Sequence, residues 1–120
     1  MDLNKKIKKI LGEGTELPIE QDEYTGQENK YIIFTYSDER PVMHGDDRPI
    51  ADEVYLNIQL ITPKDFNYME LKHTIRNLLE SAEFIVTSIS SNLVDVYIGT
   101  EKLRQTVFEV KYMESRQEEI

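Results

Sequence analysis

The sequence predicts an α+β domain: an antiparallel or mixed β-sheet with a central amphipathic helix packed on one face and a short N-terminal helix. Three observations predict it. Residues 52–62 alternate apolar and polar side chains, the period of a strand with one buried face. Leu71, Ile75, Leu78, Leu79 and Ala82 recur at helical spacing. Strand-like runs lie on both sides of that one helix, which points to α+β and away from alternating α/β. The order read along the chain is α-β-β-α-β-β-β.

The first helix is expected over residues 2–11, where Leu3, Ile7, Ile10 and Leu11 alternate with lysines. Asp2 is its candidate N-cap, and Gly12 and Gly14 are read as its stop. A lone helix of about ten residues is marginal in water, so it must dock, either on its own sheet or on a partner. Residues 12–29 carry acids and no base and read as a loop, with Leu17-Pro18-Ile19 as an extended anchor. Lys30–Ser37 reads as a strand with Ile32, Phe34 and Tyr36 on one face. Residues 38–51 hold Pro41, Gly45 and Pro49 and read as a long loop. In the strand that follows, Val54, Leu56, Ile58 and Leu60 form the apolar face.

The central helix is placed at 68–82. Asn67 and Glu70 fit a capping box, and Phe66 and Leu71 fit a hydrophobic staple. Strands are expected at 84–90, 93–98 and 103–113, the last two flanking the turn Gly99-Thr100-Glu101-Lys102. The tail from about Glu114 is polar and is expected to fray. The expected core is Phe34, Val54, Leu56, Ile58, Leu60, Leu71, Ile75, Leu78, Leu79, Phe108 and Val110.

A chain of 120 residues fits one domain, and 1–120 is read as such. It has no cysteine, which excludes disulfides and thiolate metal sites. A formal net charge of −9 opposes binding to nucleic acid and to anionic membranes. No apolar run approaches the roughly 20 residues of a membrane span, and the N-terminus lacks a signal-peptide pattern. The default compartment is therefore the cytoplasm in which the chain is made.

No phosphate loop, dinucleotide fingerprint or nucleophile elbow occurs. His73 falls on the solvent side of the central helix and reads as a surface histidine. His44, Asp46 and Asp47 could ligate a metal, but three neighbouring ligands in one loop more simply form a turn whose aspartates bond backbone groups. Acid pairs such as Asp22-Glu23 are expected by chance among 23 acids, and they lie in the most polar stretch of the chain. No catalytic residue, metal or cofactor is therefore assigned.

The 38–51 segment is long for a hairpin loop, and long loops tend to be functional. It carries Val42, Met43 and Ile50 beside Arg40, His44 and Arg48. Apolar side chains among arginines suit a protein interface, so these six residues are the candidate contacts to a neighbouring subunit or partner. Folding of the segment back onto its own domain is the alternative.

Three segments give the chain a likeness. They are the strand Val54–Thr62 running into Asp65-Phe66-Asn67-Tyr68, the helix end Leu78-Leu79-Glu80-Ser81-Ala82-Glu83-Phe84, and the aromatic-basic strand around Phe108-Glu109-Val110-Lys111-Tyr112. In this the chain resembles the small tail-completion proteins of long-tailed bacteriophages, also called tail terminators or head-to-tail joining proteins. It departs from them at Glu83, where relatives often have glycine. The resemblance implies a non-enzymatic virion protein of phage or prophage origin. It implies a ring of copies of the chain, typically six, that meets tail-tube and head-connector proteins. DNA would pass through the ring without specific binding, and the protein would move from host cytoplasm into the virion. The rival reading is an acidic DNA mimic that inhibits a nucleic-acid-binding protein, with carboxylates along one face at phosphate-like spacing.

Overall fold

The computed structural model describes residues 2–44 and 48–115. The class is α+β: among the described residues five strands form one mixed sheet and two helices pack on it. The elements are α1 (Leu3–Thr15), β1 (Ile19–Gln21), β2 (Tyr31–His44), β3 (Arg48–Pro63), α2 (Met69–Ser81), β4 (Ile85–Ile98) and β5 (Glu101–Ser115). The sheet order is β1-β2-β3-β5-β4. Among the described residues only the β1–β2 pair is parallel.

Alternation explains the layering. Ile32 and Phe34 of β2, Val54, Leu56, Ile58 and Leu60 of β3, and Phe108 and Val110 of β5 are buried on one face. Leu3, Ile7 and Leu11 of α1 and Ile75 and Leu79 of α2 close that core. Helix α1 thus docks on its own domain. Leu71 and Leu78, expected inside, are only half-buried and pack against the rim of the core. The opposite face carries Tyr31, Ile33, Thr35, Asn57, Gln59 and Val107; neither helix packs on it, and Tyr24 stacks on Tyr31 at one end.

Several expectations are corrected. Helix α1 continues through Gly12 and Gly14 to Thr15. These glycines serve packing: a Cβ on Gly14 would stand 2.4 Å from Leu78 Cδ1, and one on Gly12 would stand 3.3 Å from Ile19 Cγ2. The helix ends at Glu16, which is left-handed with φ 61° and donates its N–H to the Gly12 carbonyl at 2.9 Å. The extended anchor after α1 becomes β1, with Ile19 beside Ile32.

The expected strands at 84–90 and 93–98 are one strand, β4. Ser91 and Asn92 read as a break, but Ser91 pairs with the buried Thr106 and their hydroxyls lie 3.1 Å apart. The turn to β5 is the two-residue Gly99-Thr100, since Ile98 pairs with Glu101 and Gly99 has φ +65°. Strand β5 runs past the expected fray point to Ser115.

A further correction concerns residues 38–51. They are not a loop: β2 and β3 stay paired to Met43 opposite Pro49 and His44 opposite Arg48. The prolines misled because each lies where a strand edge is free. Pro41 is on β2, which β1 covers only along Ile32–Phe34, and Pro49 lies past the end of β5 opposite Ala51. A proline needs no ladder partner at such an edge.

The capping signals of α2 hold in part. Asn67 Oδ1 accepts the Met69 N–H at 3.2 Å, and Lys72 N–H reaches the Tyr68 carbonyl at 2.9 Å. No helix among the described residues is long and apolar enough to cross a membrane.

Candidate functional site: the hairpin arm

The described core ends at Tyr36, Val54 and Tyr112, and the β2–β3 hairpin continues beyond it. From Asp38 to His44 the strand extends roughly 20 Å at about 3.3 Å per residue. This projection is the arm. A bulge at Ser37 resets its register, so Tyr36 pairs with Leu56 while Asp38 pairs with Tyr55. The extra residue moves Asp38, Arg40 and Val42 onto the helix-free face.

On that face Arg40 Nε donates to Asp38 Oδ2 at 2.8 Å, and its guanidinium lies 5.2 Å from the centre of the Tyr55 ring. The Arg40 hydrogen bond, aided by the Glu39 backbone N–H, holds the Asp38 carboxyl below its ordinary range. Tyr55 hydroxyl donates to the Glu53 carboxylate. Val42 stands opposite Ala51. The result is a surface with an exposed guanidinium paired to Asp38, one aromatic ring and one half-buried valine.

The six candidate contacts do not form one patch. Arg40 and Val42 share the helix-free face. Ile50, 49% exposed, is the extra residue where the register shifts between Val42 opposite Ala51 and Met43 opposite Pro49. Met43, His44 and Arg48 hold strand positions at the arm's far end. Gly45, Asp46 and Asp47, and with them the candidate metal turn, lie outside the described residues. Among the described residues no group of three or more His, Asp or Glu side chains could hold a metal. His73 is exposed on α2.

The root of the arm forms a second feature. A cleft of about 520 Å3 separates it from the N-terminus of α1, and its walls carry Asp2, Asp38, Glu39 and Glu114 beside Leu3 and Val54. Tyr36 lines it and donates its hydroxyl to Asn4 Oδ1. Burial, then the nearby Asp2 and Glu114 carboxylates, pushes the Tyr36 phenol up to about 12. Close by, Lys6 Nζ donates to Tyr112 Oη at 2.6 Å and sits 4.4 Å from the centre of that ring. Tyr112 in turn packs on Phe84, with ring centres 4.5 Å apart.

Sequence reasoning found the arm's residues but missed its form and its neighbours Asp38, Glu53 and Tyr55. The available signal was the alternation of Tyr55, Glu53 and Ala51, which continues outward past the expected start of the strand. No known protein family matches this chain, and no curated protein matches it significantly.

Proposed function

We propose that this protein is a non-enzymatic assembly protein of a long-tailed bacteriophage that completes the tail by forming a ring at its end and joins it to the head. The observation that carries this reading is the arm. It is a paired hairpin projecting past the core, and it offers Arg40, Val42 and Tyr55 to a neighbour. Such an arm reaching a different surface of the next copy makes a heterologous contact, the kind that closes into rings. A preformed arm also loses less entropy on docking than a loop would. The partners are further copies of the chain, the tail tube and the head connector. A net charge of −9 gives passing DNA no adhesive wall.

The carboxylates of the cleft gather at one end of the molecule, while the helix-free sheet face intersperses Asp38, Glu53 and Glu109 with Arg40 and Lys111 among uncharged residues. A DNA mimic needs the reverse, a row of acids along one face, so the assembly role is preferred.

The test shortens the arm. Replacing residues 41–52 by Asn-Gly joins Arg40 to Glu53, which are directly opposed, through a favoured two-residue turn. The variant should keep a cooperative unfolding transition, because among the removed residues whose burial is described only Ala51 is buried, and it lies outside the main core cluster. Supplied to a phage lacking the wild-type chain, it should leave tails unjoined to heads. Normal yields of joined particles from the shortened chain would refute the proposal.

A further inference from the structure

The two long edges of the sheet are built differently. Along β2 the free edge is interrupted by the bulge at Ser37, by Pro41 and by the charges of Asp38, Glu39 and Arg40. These are the usual devices that stop one sheet from pairing with another. Strand β4 forms the opposite edge. Between its bulges at Thr87 and Asp95–Val96, the segment Ser88–Val94 pairs with β5 without a shift and contains no charge, proline or glycine. Leu93 is 41% exposed there. An extended strand presents half of its backbone N–H and C=O groups outward, so this edge is open to a further strand.

We propose that Ser88–Val94 pairs antiparallel with the same segment of a second copy, about a two-fold axis at Ser91, to join two sheets into one. The segment's own pattern selects this occupant and register. With Ser91 on the axis, Ile89 faces the second copy's Leu93 on the helix side, and Leu93 faces its Ile89. Ser90 faces Asn92 on the other side. Shifting the register by two residues in either direction places a serine opposite Ile89 or Leu93. Shifting it by one opposes the two faces of the strand. The contact is isologous, so it closes at two copies and is independent of the arm contact proposed above.

The chain has no cysteine, so introduced thiols report the register directly. Opposed residues of an antiparallel pair lie about 4.5–5.5 Å apart at Cα, within disulfide reach. Ser91→Cys should form a disulfide-linked dimer under mild oxidation, and Ser88→Cys, which faces Val94 in this register, should not. Light scattering of the unmodified chain at micromolar concentrations should give at least twice the 14.1 kDa protomer mass. Leu93→Lys removes two cross-strand contacts per dimer and should raise the concentration for half-association by about tenfold or more, with unchanged thermal unfolding of the protomer. A monomeric mass for the unmodified chain would overturn the proposal. So would equal cross-linking of the two cysteine variants, or association that Leu93→Lys leaves untouched.

Discussion

Glu83 occupies a backbone position where glycine is the usual residue. Its φ is +69°, its N–H reaches the Glu80 carbonyl at 3.1 Å, and Phe84 N–H reaches the Leu79 carbonyl at 2.9 Å. Those two bonds form a Schellman motif, and Phe84, 2% exposed, supplies the apolar contact that accompanies it. Left-handed backbone costs an L-residue roughly 1–2 kcal/mol, partly offset by the greater unfolded-state freedom of glycine. Glu83→Gly should therefore stabilise the protein by about 0.5–1 kcal/mol in denaturant unfolding. Glu83→Val should destabilise it, because a branched Cβ fits this region worst. If Gly and Val behave alike, the helix does not end in this way. Glu83 thus performs the turn usually made by glycine, at an energetic cost.

At the scale of elements, the contact between α1 and α2 makes the next prediction. Gly14→Ala gains helix propensity of about 1 kcal/mol but drives a methyl into Leu78. With Leu78 present the substitution should destabilise by about 1–2 kcal/mol, and with Leu78→Ala it should stabilise by up to about 1 kcal/mol. Strictly additive effects in this double-mutant cycle would mean that the helices do not meet there. The same glycine shows where sequence reading stops. A glycine that ends a helix and one that admits a neighbouring side chain look identical until the neighbour is placed. Pro41 and Pro49 misled similarly, because proline excludes a central strand and permits a free edge, and edges are a property of the whole sheet. Strand alternation at Val54–Leu60, the Asp2 cap and the stripe through Ile75 and Leu79 were legible because local periodicity alone decides them. The candidate site was legible as a set of residues. Its arrangement was not, since the bulge at Ser37 sets the facing of Arg40 and Val42, and a second shift sets Ile50 out of register.

The whole molecule is elongated, about 57 × 23 × 23 Å, with the β2–β3 arm at one end of the sheet and the β4–β5 turn at the other. Residues near both ends of the chain meet at the root of the arm, where Asp2 and Glu114 flank Tyr36. That convergence predicts how stability depends on alkaline pH. The Tyr36 phenol has an ordinary value of 10.0 and is raised to about 12 in the folded chain, first by burial and then by the two carboxylates. Tyr31 is raised in the same direction by burial and by Tyr24, which stacks on it with ring centres 4.2 Å apart. A group whose pKa is raised on folding contributes stability that is fully present below its unfolded value and disappears as pH passes its folded value. The loss attributable to Tyr36 should therefore fall between about pH 10 and pH 12. Tyr36→Phe should be less stable by about 1 kcal/mol at neutral pH, for want of the hydrogen bond to Asn4. Its unfolding midpoint should approach that of the wild type as pH rises through this window, because only the wild type ionises Tyr36. Lysine deprotonation acts on both proteins and cancels in the comparison, while Tyr31 leaves the variant a residual slope. Thermal unfolding of the two proteins at half-unit steps from pH 8 to about pH 12 measures the difference. Parallel curves across the whole range would mean that the phenol is not held between Asp2 and Glu114, and the closure of the two chain ends around the arm would have to be redrawn.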